Sequence, residues 1–513
     1  MPINRKIAFY IYFTGLFGLS ASIPVSKFGT SFGMILISFA WFLNWNWKEK
    51  LSLLKEHRIP LIASVSLFLI FVFGLIHSEN IDYALKDLKI KAPLFILPVV
   101  FALSGFKLDR ERIIVALIIL TSSGVIASII GYISYYIRTT QGEILDLRCM
   151  SPFISMIRLS LILSFGFGLG LWGFSKLKSN LKWLLLVPIG WIVYFIVCAE
   201  SLTGLVLIPV LSLYFMFFIL KRNRTLAFGL GAILLISSIW LAFKLTDISS
   251  LVFANNSYKY NEKTLNGRKY KHNIKVLTRE NGNLLYDNLN EEEMLKEWSL
   301  RSSLRYNDTI NGFNVGAVLI RFLTSKGISK DSVGVSLLTN DEIKAVERGV
   351  PNVYYLTANP IARRIHVGFM EIRNAIENKK YFGSSIASRY IYARTGYQIF
   401  KDNFLFGTGT GDVKDEFLDK YKKLNTKEVY FDKRSHNQYL TVAITLGIFG
   451  LIIFVGIISL LMKTYNGTLI YIFFLGQLIL LLGMLWEDTL ETQAGIAIFS
   501  LLLNLFLFEK KYN

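Results

Sequence analysis

The feature that most constrains this chain is a series of about twelve apolar stretches, most of them long enough to cross the hydrocarbon core of a bilayer. Hydrophobic residues make up 53% of the 513 residues, a larger share than an ordinary soluble domain carries. We therefore predict an all-α polytopic membrane protein with about twelve transmembrane helices. The stretches begin near Ile7, Phe28, Ile59, Ala92, Ile113, Phe153, Trp183, Leu202, Leu226, Tyr439, Leu469 and Gly495.

Lysine and arginine are spread unevenly over the segments between these stretches. Short cytoplasmic loops collect such cations, and with the N-terminus inside the expected alternation is met. Both termini are therefore predicted to be cytoplasmic. The inside segments would carry Arg5, Lys6, Lys48, Lys50, Lys55, Arg58, Lys107, Arg110, Arg112, Lys176, Lys178, Lys182, Lys221, Arg222, Arg224, Lys463 and Lys510-Lys511. Because these loops face anionic membrane lipids, they explain much of the net charge of +20, and we expect no nucleic-acid binding.

A long polar segment, roughly Thr246 to Ser435, separates the ninth apolar stretch from the tenth. An odd number of preceding helices puts it outside, and it is too long for a linker, so it is predicted to fold as one large external, mainly helical domain. The chain then divides into 1–245 with transmembrane helices 1–9, 246–435 as the loop domain, and 436–513 with helices 10–12. Residues 255–341 show no clear periodicity and predict no particular fold.

Two helices are predicted in the second half of the polar segment. The first is amphipathic and basic, which is typical of a helix on the membrane surface or on the helix bundle. Its apolar residues Ile361, Ile365, Phe369, Ile372 and Ile376 lie opposite Arg363, Arg364 and Arg373. The second runs from about Ser388 to Lys401 and ends in Asp402-Asn403.

A glycine-rich segment, Gly407-Thr408-Gly409-Thr410-Gly411, follows the second helix. No Gly-Lys-Ser/Thr comes after it, and no strand and downstream acid frame it, so it is neither a Walker loop nor a Rossmann turn. Glycines at alternate positions favour a tight turn. Clustered N–H groups could instead bind an anion, and on that interpretation Gly407 and Gly409 are candidate substrate-binding positions.

His436 stands where the polar segment meets the tenth apolar stretch. Histidine changes protonation near neutral pH, so an imidazole at the membrane surface is a candidate catalytic base. If a helix begins at His436, Ala443, Gly447 and Gly450 return to the same face at about 100° per residue. Such small residues would let a partner helix approach and fix the imidazole. The alternative is a capping or interfacial histidine above an ordinary packing seam.

Three arginines are suited to bind phosphate. Arg158 lies several residues inside an apolar stretch, where a charge is costly unless it snorkels or faces an aqueous cavity. Arg389 and Arg394 lie about one helical turn apart in the polar segment. Guanidinium groups bind phosphate oxygens bidentately and stay charged, which suits a lipid-linked diphosphate at the outer face.

The remaining titratable residues favour chemistry without a metal or cofactor. The five histidines are far apart, and no His-Glu-x-x-His or Cys-x-x-Cys pattern occurs. Glu487, Asp488 and Glu491 are expected to form a solvated acidic face in the last external loop. Cys149 and Cys198 are expected to be two thiols in apolar surroundings, although their positions also allow a disulfide.

The order of these motifs resembles the O-antigen ligase and polymerase superfamily. The resemblance covers roughly Ser388 to Gly450, and its His-Asn, nine residues, Gly-x-x-Gly arrangement favours the ligase branch. The matching elements are Arg389, then Asp402-Asn403-Phe404-Leu405-Phe406-Gly407-Thr408-Gly409, then a tyrosine-containing stretch, then His436-Asn437, then Gly447-Ile448-Phe449-Gly450. Phe404 replaces the family's usual proline, and Leu202 stands where an arginine is common, so the second arginine stays open.

The resemblance implies a GT-C-like, metal-independent, inverting glycosyltransferase in the bacterial inner membrane. Such proteins move a glycan from undecaprenyl diphosphate to a hydroxyl of lipid A–core at the periplasmic face. His436 would be the general base and Arg389 the second catalytic residue. Arg158, Arg394, Asn437, Tyr439, Gly407 and Gly409 would bind substrate, and Gly447 and Gly450 would be structural.

Other functions remain open at this point. An O-antigen polymerase or a protein O-oligosaccharyltransferase of the same superfamily differs only in its acceptor. A polytopic transporter or flippase would also need many helices and a buried arginine. It should show broken helices or inverted repeats around a site near the middle of the bilayer, whereas the notable polar residues here gather at the outer edge.

Overall fold

The computed structural model describes residues 3–509 except 144, 222, 257–259, 274, 311, 380–384 and 424–433. Three of the predicted inside cations, Arg222 and Lys510-Lys511, lie outside the described residues, as does part of the tyrosine-containing stretch, residues 424–433. Cys149 and Cys198 are free thiols.

Each of the apolar stretches found in the sequence forms a helix. The first half of the chain contains these helices and two more polar ones, α3 and α5. In order they are α1 (Ile3–Ser22), α2 (Lys27–Leu43), α3 (Trp47–Glu56), α4 (Arg58–Phe73), α5 (Ile81–Lys91), α6 (Pro93–Leu103), α7 (Arg110–Thr140), α8 (Met156–Lys176), α9 (Leu186–Cys198), α10 (Leu202–Leu220) and α11 (Arg224–Phe253). Short 3₁₀ turns lie at Gly74–His77, Leu147–Met150, Asn180–Leu185, Val353–Leu356 and Thr489–Glu491.

The second half contains shorter helices and then the C-terminal apolar ones. They are α12 (Glu291–Arg301), α13 (Val315–Lys326), α14 (Ser332–Ser336), α15 (Asn340–Glu347), α16 (Pro360–Asn378), α17 (Ser385–Asp402), α18 (Val413–Lys423), α19 (Gln438–Thr464), α20 (Ile470–Gly483) and α21 (Gln493–Leu507). Two antiparallel hairpins pair β1 (Arg279–Glu280) with β2 (Asn283–Leu284), and β3 (Thr309–Ile310) with β4 (Phe313–Asn314).

The prediction of an all-α polytopic membrane protein is confirmed. Within the described residues, seven helices are long and apolar enough to cross a membrane, and the pair α2 and α3, bent by 116°, would make an eighth. The helices α20 and α21 are apolar but shorter. A total of about twelve spans stays a prediction. The seven are Arg58–His77, Arg110–Thr140, Met156–Lys176, Asn180–Cys198, Leu202–Leu220, Arg224–Phe253 and Gln438–Thr464.

The chain forms two compact units, and the first contains most of the apolar helices. It comprises Met1–Tyr132, Met150–Ala232 and Ile391–Asn513. Its short helix α21 is buried at every residue from Gly495 to Phe506, and α20 is buried along much of its length. The loop that joins these two helices is therefore held among other elements of this unit.

The second unit, Ile133–Cys149 with Ile233–Tyr390, contains the shorter helices. Its core is formed by α12 to α15 around Trp298, which is fully buried and donates from Nε1 to the carbonyl of Leu304 at 2.8 Å. These helices have only 5 to 12 residues, and each begins at a capping side chain. Segments this short show little periodicity, which explains why the sequence predicted no fold for residues 255–341.

The amphipathic helix predicted from Ile361 to Ile376 is present as α16. The expectation that all three of its arginines lie on a polar face is wrong, because Arg373 is only 2% exposed. The guanidinium of Arg373 donates to the carbonyls of Val252 and Ala254 and to Asn255 Oδ1. It thus caps the C-terminal end of α11, where a cation is favoured by the helix dipole.

The helix α19 is not continuous, because it breaks at Gly447. The backbone there has φ 67 and ψ −170, a conformation that L residues rarely adopt. A Cβ on this residue would lie 2.1 Å from the carbonyl oxygen of Leu405. The expected continuous face of Ala443, Gly447 and Gly450 below His436 is therefore wrong. The backbone of Leu405 and Phe406 packs directly against Gly447, where the regular helix is interrupted.

The glycine-rich turn satisfies the backbone groups that this break exposes. The N–H groups of Thr408 and Gly409 donate to the carbonyls of residues 444 and 445, at 2.8 and 3.0 Å. Beyond the break, the N–H of Ile448 donates to the carbonyl of Phe404 at 2.8 Å. Backbone polar groups at membrane depth need such internal partners, so the turn and the broken helix form one structural unit.

We expect Gly447→Ala to lower the free energy of unfolding by roughly 2 kcal/mol or more, because alanine is strained at this φ and its Cβ would collide with the backbone of Leu405. The matched control is Gly456→Ala in the same helix, where a Cβ would meet no atom within 4 Å. Thermal unfolding of both variants in detergent, followed by circular dichroism, tests the difference. Equal melting temperatures would contradict the role assigned to Gly447.

Candidate functional site

His436 lies in the link immediately before α19. The helix begins at Gln438, and Asn437 is its N-cap, with Oδ1 accepting from the N–H of Leu440 at 2.9 Å. His436 itself has φ 51, in the left-handed region that histidine enters more readily than most residues. Its N–H donates to Asp488 Oδ2 at 3.0 Å. The histidine therefore precedes the helix, and the left-handed turn that carries it is fixed by the last loop.

The imidazole of His436 is partly exposed and faces a carboxylate. Its side chain is 26% exposed, and Nδ1 lies 3.8 Å from Glu487 Oε2. Within the described residues, Nδ1 is buried and makes no hydrogen bond. The ring also packs on Tyr392 of α17, with centroids 5.5 Å apart. The imidazole is thus held on one side by an aromatic ring and approached on another by an acid.

Glu487 connects His436 with Arg158. Oε1 of Glu487 accepts from Arg158 Nη2 at 2.8 Å, while Nη1 of the same guanidinium donates to Ser155 Oγ at 3.1 Å. Ser155 is the N-cap of α8, and Arg158 lies in the first turn of that helix. The arginine does not face lipid alone: its side chain is 15% exposed and is paired. The structure therefore brings Arg158 and His436 together through one carboxylate.

The expectation of a solvated acidic face in the last loop is wrong. As whole residues Glu487 and Asp488 are each 7% exposed, and the side chain of Glu491 is 5% exposed. Asp488 accepts from Thr441 Oγ1 at 2.7 Å as well as from the backbone of His436. Burial raises the pKa of Asp488 above its usual value, although the bond from Thr441 opposes this. These acids are structural parts of the site.

Glu491 is the centre of a buried ionic cluster. It accepts from Lys91 Nζ at 2.8 Å and pairs with Arg434, two residues before His436. Burial alone would raise the pKa of Glu491, but the charges of Arg434 and Lys91 lower it to about 2. Lys91 also binds Asp87, at 2.6 Å. Two cations and two anions thus tie the segment before the histidine to α5.

Of the two interpretations of the glycine-rich segment, the geometry favours the tight turn. Gly407 and Gly409 have φ of 75 and 93. Their N–H groups donate to carbonyls of the chain, and those of Thr410 and Gly411 donate to the carbonyl of Gly74 and to Ser78 Oγ. These amides are therefore used within the protein and are not aimed at an anion.

The other candidate residues are placed as follows. Asn437 Nδ2 donates to the carbonyl of Leu485 and Tyr439 OH to that of Leu481, both at 3.0 Å, so these side chains tie α19 to the end of α20. Arg389 lies one turn after the start of α17, is partly buried, and donates from Nη1 to the carbonyl of Ser385 at 3.1 Å. Arg394, further along α17, is exposed.

Sequence reasoning missed the structural importance of the acids at 487, 488 and 491 and of their cations. The available signal was that a carboxylate beside a short apolar helix must find a partner when that helix is buried. Lys91 lies 400 residues from Glu491 in the sequence, and Arg434 lies 57 residues from it, so sequence spacing could not identify them as its partners.

Among the described residues, no group of three or more His, Cys, Asp or Glu side chains is arranged to hold a metal ion.

Comparison with known proteins supports the resemblance seen in the motifs. Residues 345–455 match the family model described as O-Antigen ligase, and this segment contains Arg389, the glycine-rich turn, His436 and Gly447. No curated protein matches the chain. Arg158 and the acidic loop lie outside the matched residues. The match over residues 345–455 supports the O-antigen ligase superfamily, the family that the order of the motifs predicts.

Proposed function

We propose that this protein is a ligase-type glycosyltransferase that moves a glycan from undecaprenyl diphosphate to a hydroxyl of lipid A–core. One observation carries the proposal above all: His436, which lies in the matched segment just before α19, is next to the carboxylate of Glu487, and that carboxylate binds the guanidinium of Arg158. Such a constellation suits proton removal next to a phosphate-bearing leaving group.

In the proposed reaction, neutral His436 takes the proton of the acceptor hydroxyl. The oxygen attacks the anomeric carbon from the face opposite the diphosphate, so the configuration inverts. The partial exposure of the imidazole supports this role, because a base must be reachable by the hydroxyl it deprotonates. Neither a metal nor a cofactor takes part in the proposed step.

The arginines would stabilise the charge that develops on the departing diphosphate. A guanidinium carries five N–H groups. Arg158 donates one to Ser155 and one to Glu487, and the others would be available to a diphosphate. Arg389 is the arginine that the resemblance assigns to the same task, and the exposed Arg394 is a further candidate for substrate contact. Preorganised donors of this kind act most strongly where water is excluded.

Asn437 and Tyr439 would contribute mainly by holding the start of α19, because their side chains already bond to backbone carbonyls. Gly407, Gly409 and Gly447 would keep the turn and the broken helix together, with Gly450 packing beside them. Much of the rate would come from holding two membrane-bound substrates in one place.

The proposal includes a location and a domain arrangement. The protein is a multi-pass membrane protein, and we propose that it lies in the bacterial inner membrane with both termini in the cytoplasm. The loop domain at 246–435 and the active site would then face the periplasm, between the transmembrane parts 1–245 and 436–513. Membrane lipids, the undecaprenyl-diphosphate-linked donor and the glycan acceptor would be its partners.

The broken helix α19 is the feature that would also suit a transporter or flippase. In transporters the carbonyls freed by such a break bind the substrate or a coupling ion. Here the carbonyls of residues 444 and 445 accept from the glycine-rich turn, which leaves them engaged within the protein. This observation favours a scaffolding role for the break and supports the transferase.

Lipopolysaccharide from a strain lacking this protein distinguishes the possible acceptors. We expect carrier-linked polymer to accumulate and the lipid A–core to lack polymer, because a ligase attaches the finished polymer to the core. Core that bears single repeat units would instead identify a polymerase. Unchanged lipopolysaccharide together with loss of glycan from proteins would identify a protein O-oligosaccharyltransferase. Gel analysis of lipopolysaccharide and of lipid-linked glycan, with a complemented strain as control, gives the answer.

Removal of the imidazole should abolish most of the transfer activity. We expect His436→Asn and His436→Ala to lower the transfer rate by roughly 10²-fold to 10⁴-fold, the range that a general base supplies. Asparagine is the sharper substitution because it tolerates the left-handed backbone. His77→Ala, at an exposed histidine of the same unit, serves as control. Full activity of His436→Asn in a purified assay would refute the base role.

Replacing the arginine of α17 by lysine tests whether a planar, bidentate donor is needed. We expect Arg389→Lys to reduce transfer by roughly 10-fold or more, because a point charge cannot replace the guanidinium fork. Arg348→Lys, at an exposed arginine also within the matched residues, is the control and should retain activity. Initial rates with purified lipid-linked donor measure the effect. An Arg389→Lys variant as active as the control would remove Arg389 from the proposed site.

A further inference from the structure

Glu487 is the group in the site that neither the motifs nor the matched segment assigns a role. It lies in the link between α20 and α21, and its side chain is 9% exposed. One carboxylate oxygen binds Arg158 at 2.8 Å, and the other lies 3.8 Å from Nδ1 of His436. The side chain of Glu487 thus contacts Arg158 and faces the imidazole of His436, the two groups that are proposed to act on the substrates.

We propose that Glu487 is the positioning residue that orients the imidazole of His436 and aligns it with Arg158. This inference rests on the proposed function for its catalytic meaning, but its geometric content is independent of that function. The carboxylate would select the neutral tautomer of His436 that carries its proton on Nδ1. Nε2 is then left with a lone pair for the acceptor hydroxyl.

The surroundings of Nδ1 support this assignment. In the described residues this nitrogen is buried without a hydrogen bond, and Glu487 Oε2 is the carboxylate oxygen paired with it. A separation of 3.8 Å exceeds a hydrogen bond, but catalytic hydrogen bonds are often long before substrate binds and shorten in the complex. A small rotation of the imidazole would bring Nδ1–H within reach of the carboxylate.

Asp488, the neighbouring acid, is not available for the same task. Its two oxygens accept from the N–H of His436 and from the hydroxyl of Thr441. It therefore holds the backbone of the histidine turn, although its charge also acts on the imidazole. The two acids therefore have different roles: Asp488 binds the backbone N–H of His436, and Glu487 faces its imidazole.

The charges and bonds balance in the proposed step. The acceptor oxygen forms its bond to the anomeric carbon as the carbon–oxygen bond to the diphosphate breaks, and that electron pair leaves with the diphosphate. The hydroxyl proton moves to Nε2, while Nδ1 keeps its own. Glu487 stays ionised and stabilises the imidazolium, and Arg158 remains aligned beside the leaving group.

Nitrogen NMR of the purified full chain carrying ¹⁵N-labelled histidine tests the inference without requiring activity. The chain has five histidines, and comparison with His436→Asn identifies the signals of His436. In alkaline buffer we expect the wild-type ring to carry its proton on Nδ1. Glu487→Gln should weaken that preference, and Glu487→Leu, which removes the acceptor, should weaken it further. Asp419→Asn, at a carboxylate 66% exposed, should leave the spectrum unchanged.

Transfer assays then separate a positioning role from a merely structural one. We expect Glu487→Gln to lower kcat roughly 10-fold to 100-fold, the effect of losing one charge-assisted hydrogen bond. In the His436→Asn background the same change should add less than about twofold, because the two residues act together. Multiplicative losses would overturn the inference, as would a wild-type ring protonated on Nε2 or a tautomer preference unchanged in both variants. If the wild-type protein transfers no glycan, the proposed function fails, while the NMR result still decides the geometry.

Discussion

The pairing of buried carboxylates in the loop between α20 and α21 is the constraint on which the candidate site depends. Glu487, Asp488 and Glu491 are enclosed because α21 is buried almost along its whole length. A buried charge without a partner costs several kcal/mol, so each acid must be met by a cation or by N–H and O–H donors. Satisfying that requirement places Arg158 and Arg434 beside the segment that carries His436. The site geometry therefore follows from the need to neutralise one short loop.

A second requirement, the satisfaction of backbone groups inside a helix that is long and apolar enough to cross a membrane, explains the glycine-rich motif. The break of α19 at Gly447 frees carbonyls that water would otherwise have to solvate. The turn around Gly407 and Gly409 supplies N–H groups to those carbonyls. The resemblance connects the glycine-rich motif and the Gly-x-x-Gly motif by their order alone. The structure gives the physical reason why they occur together, since each completes the hydrogen bonding of the other.

Local periodicity and composition predicted what depends on neighbouring residues. In this way we could infer the apolar stretches, α16, α17 and the start of α19 near His436. The family was indicated separately, by the resemblance of the motif order. What could not be inferred depends on distant contacts. Arg158 meets Glu487 across 329 residues, and Arg373 binds the end of α11 across more than 100. Periodicity also failed where it assumed regular geometry, as in the unbroken face below His436. The short helices around Trp298 were missed because each is too brief to show a repeat.

The buried cluster of Asp87, Lys91, Arg434 and Glu491 sums to zero formal charge and is sealed from solvent at Lys91. Mobile ions screen charges that lie in water, and they reach enclosed pairs much less. The ion pairs that hold the segment before His436 should therefore depend little on the salt concentration of the solution. Any sensitivity of this protein to salt should originate where charged substrates arrive from the water or lipid surface.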